Sequence, residues 1–299
     1  RPAADGLIDM SQVSLPQHAG PIETIWHWLF VLICAVVFLF LIAPILVIIP
    51  LSFNAEPYFT FNADMLAFKA SAYSMRWYED FMSKEIWQTS IANSFLIATL
   101  ATVLATTLGT IAALGLSRSE MPYKGVAMGL LISPMIVPLV ITAAGIFFFY
   151  ATMNDYIPLT GTYLGVILAH AVLGTPFVVI TVTATLSGFD HSLTRAGAML
   201  GANPTTVFFK IIMPLILPGV ISGALFAFVT SFDEVVVVLF VASVEQQTIP
   251  RQMWAGIRES ISPTILAVAT ILICISIMLL ATVEILRRRS EKLRGMSPG

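Results

Sequence analysis

The chain has 299 residues, 58% of them hydrophobic and 11% charged, with a formal net charge of -2 and a mean hydropathy of +0.90. A soluble domain of that composition would leave too much apolar surface in water, so the chain reads as an all-α polytopic membrane protein. The near-neutral charge, with no basic tract carrying interleaved aromatics, excludes nucleic acid as a partner.

Residues 1–24 form an N-terminal segment without the apolar core of a cleavable signal peptide. Six apolar runs follow, near 25–52, 87–117, 125–150, 162–187, 215–242 and 262–286, each long enough for the roughly 20 helical residues that cross a bilayer. They make one membrane domain over 25–287, closed by a basic tail at 288–299. Pro44, Pro50, Pro134, Pro138 and Pro176 are the expected kink points. Trp26, Trp28 and Trp87 stand at span starts, where aromatic rings anchor at the interface. Cys34 and Cys274 lie inside apolar runs and read as buried thiols. Asn93 and Ser94 suit hydrogen bonding across a helix interface, Phe147 to Tyr150 suit outer-leaflet packing, and His170 reads as a hydrogen-bonded packing residue. Arg118, Lys124, Arg195, Lys210 and the basic C-terminus fall on one side under a six-span count, which places both termini and the loop between the fourth and fifth runs in the cytoplasm.

That loop, Asp190 to Pro214, is a capped two-helix element. Asp190 or Ser192 can cap the first helix, Gly201 suits its left-handed terminus, and Asn203 with Pro204 restarts a second helix that Pro214 and Pro218 end. Leu193, Ala196, Gly197 and Leu200 share one apolar face of small residues. Such a face suits close docking against another protein; an interfacial pair lying on lipid headgroups is the other reading.

In the fifth run, Asp233 and Glu234 are adjacent carboxylates in apolar surroundings. A charge deep in a bilayer costs about 2.5–3.5 kcal/mol on insertion scales, so the pair must face water, a cation or a partner. Two readings stay open: a transport pathway that attracts a positively charged amine, or hydrogen bonding within a subunit interface. Continuing the helix, the two side chains would lie about 100° apart, with one of them in the pathway. The outer loop 243–261 then brings Gln247, Arg251, Trp254 and Arg258 together as a docking surface, with Met253, Trp254 and Ile257 spaced for one helical face; a membrane-surface helix is the alternative. The aromatic-rich loop Asn54 to Lys84 is a second candidate surface.

No catalytic constellation competes. The chain has no GxxxxGK[ST] phosphate loop, no HExxH and no paired Cys/His metal spacing. It therefore reads as neither an enzyme nor a metal protein.

Arg195-Ala196-Gly197 with Gly201, followed by Ile211-Ile212-Met213-Pro214, resembles the EAA signature of binding-protein-dependent ABC importer permeases, with its spacing kept. Arg195, Gly197 and Met213 stand where Glu, Ala and Leu are usual. Pro176 to Val179, Gly188 to Asp190, Ser231 to Val237 and Ser262 to Leu272 are similar to the spermidine/putrescine permease branch, second-permease type. The resemblance implies a type I importer permease fold and a coupling role for Leu193, Arg195, Ala196, Gly197, Leu200 and Gly201. It also implies a second related permease, two ATP-binding cassette subunits that hold ATP and Mg, an extracytoplasmic solute-binding protein that meets Gln247, Arg251, Trp254 and Arg258, and location in a bacterial inner membrane. No cofactor is expected on this chain. The solute it implies is a polyamine, with γ-aminobutyrate, an opine or a related amino compound as alternatives. An ion-coupled secondary transporter or channel, with Asp233 binding the coupling cation, is the rival class.

Overall fold

The computed structural model describes residues 20–118, 120–190, 192–259 and 262–293, with backbone only at 259, 279–280, 282–284 and 286–293. The chain divides into two compact units, Arg1–Ser74 and Met75–Gly299.

In the first unit, α1 (Pro21–Leu51) is the most apolar of the four span-length helices among the described residues. Pro21 occupies its first turn, where its missing N–H is no loss, and the Glu23 carboxylate accepts the Gly20 N–H at 3.0 Å. Trp26 and Trp28 are exposed on it, as interfacial anchors require, and Cys34 is half-buried. The following loop is organised by Asn54, fully buried, whose Nδ2 donates to the carbonyls of Tyr58 and Thr60, both at 3.1 Å. It contains the one-turn helix α2 (Ala63–Leu66), capped by Asn62, and a 3-10 turn at Ala70–Ala72.

The second unit opens with α3 (Arg76–Ser83) and α4 (Glu85–Leu116). Then come α5 (Lys124–Ile136) and α6 (Leu139–Met153), bent by 106° at Val137–Pro138. The expected third span is therefore broken, because Pro138 pushes Val137 out of helical conformation. α7 (Tyr163–Ser187), α8 (Ser192–Met199) and α9 (Pro204–Val207) follow. A π-helical turn, Phe208–Ile212, joins α9 to α10 (Met213–Phe232); α11 (Val236–Val241), α12 (Ile249–Glu259) and α13 (Thr264–Leu293) complete the chain. Among the described residues four helices, or five counting the bent pair as one, are long and apolar enough to span; Thr264–Met278 is a shorter apolar stretch of α13. The expected count of six spans is therefore not reached among the described residues: the third run is bent, the fifth breaks after Phe232, and the sixth is present only as the shorter apolar stretch.

The core is the packing of α4, α7 and α10, and it is built from small residues at four-residue spacing. Ala101, Ala105, Gly109 and Ala113 line α4, and Gly219, Gly223, Ala227 and Ser231 line α10, all buried. A Cβ on Gly223 would stand 2.7 Å from the Val178 Cα, and one on Gly174 would stand 2.9 Å from the Ala227 Cβ. Backbones that close are the way helices gain dispersion contact where lipid removes the hydrophobic drive. Toward the other end, Phe81, Trp87, Ala98, Phe232, Ile249 and Val268 form a second cluster. Trp87 is buried there against Phe81, ring centroids 5.4 Å apart, and is not the interfacial anchor its position suggests. Cys274 is exposed on α13, contrary to the expected buried thiol.

Candidate functional site

Asp233 and Glu234 do not lie within a continuous helix. α10 ends at Phe232, Asp233 is its C-cap, and α11 starts only at Val236. The separation by 100° of helical rotation consequently fails, and the two carboxylates are sorted by the break instead. Glu234 is buried, 6% exposed, and its Oε1 accepts the Val237 N–H at 2.8 Å, satisfying an orphan donor of α11. Asp233 is exposed beside Phe95, Phe228 and Phe232. Phe95 meets Phe232 edge-on at 5.2 Å, and Phe228 stacks on Phe232 at 5.6 Å. A carboxylate next to aromatic surface is a chemistry suited to an ammonium group.

The turn expected on the outer side is less free than its sequence suggests. Arg251 is half-buried and its Nη1 donates to the Ser243 carbonyl at 2.6 Å, so it braces the turn from within. Met253 packs into the cluster around Trp87, leaving Trp254, Ile257 and Arg258 exposed on α12, with Gln247 half-buried. Asn93 and Ser94 bond to neighbouring helices as expected, Asn93 to Tyr163 at the start of α7 and Ser94 to Ile249 at the start of α12, and Asn93 also binds this turn. Ser94 Oγ accepts the Ile249 N–H at 2.8 Å, and Asn93 Nδ2 donates to the carbonyls of Glu245 (2.7 Å) and Gln247 (2.9 Å).

At the opposite end of α4 lies the capped element. The Asp190 carboxylate accepts from the Ser192 N–H (2.8 Å) and hydroxyl (2.7 Å). α8 closes with a Schellman pair: the Ala202 N–H donates to the Gly197 carbonyl and the Gly201 N–H to the Ala198 carbonyl, with Gly201 at φ +81. Asn203 Oδ1 accepts the Thr206 N–H at 2.8 Å and starts α9. Pro214 does not end this helix. The π-turn shifts the bonding by one residue, so that the Met213 N–H reaches the Phe208 carbonyl, and Pro214 sits in the first turn of α10, where it is tolerated. The expected face is divided: Leu193, Ala196 and Leu200 are exposed with Met199, whereas Gly197 is buried against Ile211 and Val207. Arg195 is exposed and makes no ion pair among the described residues. Behind the element is a cleft of about 540 Å³, lined by Leu114, Arg118, Leu186, Phe189, Val207 and Ile212 among others.

Asn93 and Leu114 are separated by 21 residues of α4, about 32 Å at 1.5 Å per residue, close to the thickness of a bilayer's hydrocarbon core. Between these ends His170 is 1% exposed and its Nδ1 lies 2.7 Å from Ser231 Oγ, linking α7 to α10 as a packing residue would. Tyr150 is buried, donating to the Gly165 carbonyl at 3.0 Å, while Phe148 and Phe149 face outward. The small-residue stripes were the signal that could have located the core before the structure did.

Residues 105–292 match the family described as "Binding-protein-dependent transport system inner membrane component". The spermidine/putrescine transport system permease protein PotC of Haemophilus influenzae is 30% identical, covering 86% of this chain and 95% of that protein. The putrescine transport system permease protein PotI of Escherichia coli K12 is 32% identical, over 79% of this chain and 82% of that protein. In fold the chain is similar to part of a bacterial ABC transporter involved in the import of the acidic polysaccharide alginate, with TM-score 0.71 and 16% identity over 90% of this chain and 99% of that one.

Proposed function

Because the chain belongs to the inner membrane components of binding-protein-dependent transport systems, we propose that it takes up a small cationic amine, a polyamine first, as one permease of an ATP-driven importer. The observation that carries the solute class is the exposed Asp233 carboxylate amid Phe95, Phe228 and Phe232 at the α10–α11 break. The relatives named for spermidine and putrescine support the same class.

In this reading the exposed apolar face of Leu193, Ala196, Met199 and Leu200 seats in a groove of an ATP-binding cassette subunit, which holds ATP and Mg. Gly197 holds α8 onto Ile211, and Gly201 fixes the elbow. Closure of two such subunits then moves α8, and with it α7 and α10, which flank it in the chain and pack closely on each other. A second related permease completes the pathway. The solute-binding protein docks on the turn and on Gln247, Trp254 and Arg258 of the outer surface, with Arg251 bracing it, and both termini are cytoplasmic. Asp233 receives the ammonium group; Glu234 shapes the break.

Uptake by the reconstituted complex tests this. Labelled spermidine should accumulate with ATP and without an ion gradient, and an ATP-binding protein should co-purify with the chain. Uptake that follows an ion gradient, in the absence of such a partner, would establish the secondary-transporter alternative.

A further inference from the structure

We propose that Asn93 is the positioning residue of the outer turn Ser243–Thr248, holding its tip in the shape that the solute-binding protein meets. The proposal rests on the docking role given to this turn above, and nothing in the similarity of the chain to its relatives assigns Asn93.

The turn has no regular secondary structure of its own between α11 and α12, yet its backbone is fastened at every second residue. Arg251 holds the Ser243 carbonyl, Asn93 holds those of Glu245 and Gln247, and Ser94 holds the Ile249 N–H. Gln246 folds back inside, 2% exposed, and accepts from the Ser243 N–H (3.0 Å) and hydroxyl (2.7 Å). What remains outside is the tip: Val244 is 76% exposed and the Glu245 side chain is exposed beside it.

Asn93 is the hub because its amide matches three groups at once. Both its N–H groups are donated to carbonyls, and its Oδ1 lies 2.9 Å from the Tyr163 hydroxyl, which also stands 3.1 Å from the Glu245 carbonyl. Asn93 is 4% exposed, so water does not replace what a substitution removes. Asp at this position would set a carboxylate against two carbonyl oxygens, and Leu would leave both carbonyls without their donor. The clamp thus draws on α4, the first residue of α7 and the turn. A binding surface ordered beforehand avoids the entropy cost of ordering on contact, so the clamp acts on the affinity for the binding protein more than on the rate once it is bound.

The test uses the full complex in lipid nanodiscs, with ATP hydrolysis measured against the concentration of its binding protein loaded with spermidine. For N93A the concentration giving half-maximal stimulation should rise about tenfold, with the maximal rate changed by less than about twofold. Amide exchange at 243–249 should accelerate in the same variant. Y163F, which removes one hydroxyl from a partly exposed residue, should move both readouts in the same direction by a smaller factor, and N93A/Y163F should be no worse than N93A, since the hydroxyl's single proton goes to the nearer Asn93 Oδ1 and acts through that amide. Unchanged half-maximal concentrations in N93A and Y163F would overturn the proposal. So would an equal fall in basal and stimulated rates with unchanged exchange, which marks a general structural defect. If N93A does not assemble, Y163F alone decides by the same two readouts. A wild-type complex that no loaded binding protein stimulates defeats the importer reading itself; stimulated wild type with indistinguishable variants defeats only the clamp.

Discussion

At the scale of single residues, two adjacent carboxylates have come apart into different surroundings, Asp233 exposed and Glu234 buried as a cap. Asp233→Asn should leave the fold intact, because the side chain is exposed and caps nothing through its carboxylate, and it should reduce amine uptake about tenfold or more. Glu234→Gln weakens the buried acceptor at the start of α11 and should instead lower stability by about 1 kcal/mol, read as a reduced melting temperature of the purified complex. The reverse pattern would exchange the two roles. A third carboxylate gives a pH effect. Partial burial pushes the Asp80 carboxyl up, but hydrogen bonds from Lys84 and Thr264 and the Lys84 charge outweigh it and hold the group below its ordinary value of 3.8. Its contacts at 2.8 Å to Lys84 and 2.7 Å to Thr264 fasten α3 to the start of α13. That contribution is complete above the ordinary value and is lost as pH falls through the lowered one. Asp80→Asn should therefore flatten the acid limb of the thermal stability profile, and an unaltered limb would exclude the fastening. Sequence alone marked Asp233 and Glu234 because charge in an apolar run is costly wherever it points. It could not show which of them caps α11, because that depends on where the helix breaks. It marked Asn93 as a hydrogen-bonding residue but could not name the carbonyls it holds, which lie about 150 positions away.

Among the elements, local chemistry was the legible part. The Asp190–Ser192 start, the Gly201 stop and the Asn203–Pro204 restart all occur where short-range capping rules place them. What those rules missed is that Pro214 continues the helix. A one-residue shift in hydrogen bonding at Phe208–Ile212 is invisible to a rule that treats proline as a stop. Pro138 was legible as a kink point, whereas the 106° size of the bend was not, because a proline rule marks a break without setting its angle. Gly201 supplies the cleanest test. A Cβ there meets nothing within 4 Å, so Gly201→Ala introduces only the strain of φ +81, about 1 kcal/mol, and should fray the end of α8. Coupled ATP hydrolysis should fall while solute delivery by the binding protein is unchanged. Wild-type coupling in this variant would show that the elbow carries no force.

Across the whole second unit, the two ends of α4 are a bilayer apart, and the seam of small residues between them makes the interior stiff. Gly223→Val would drive a side chain onto the Val178 backbone and should cost about 1–3 kcal/mol or prevent assembly. Gly197→Ala presses on the tip of Ile211, which can turn aside, and meets Val207 at ordinary contact distance, so it should be tolerated. Equal effects of the two would contradict close packing as the element that transmits movement. The fold class followed from composition, because apolar runs of this length have few alternatives in lipid. The relation of α4, α7 and α10 needed the four-residue spacing of glycine and alanine, a weaker signal than hydropathy. The central claim is that this chain couples ATP hydrolysis on partner subunits to inward movement of a cationic amine past Asp233. It is tested most directly by solute-stimulated ATP hydrolysis of the co-expressed complex in nanodiscs with its binding protein, screening putrescine, spermidine, γ-aminobutyrate and an opine. Stimulation by putrescine or spermidine, lost in the assembled Asp233→Asn complex, is the predicted result; stimulation that ignores amine charge and survives Asp233→Asn would contradict the account.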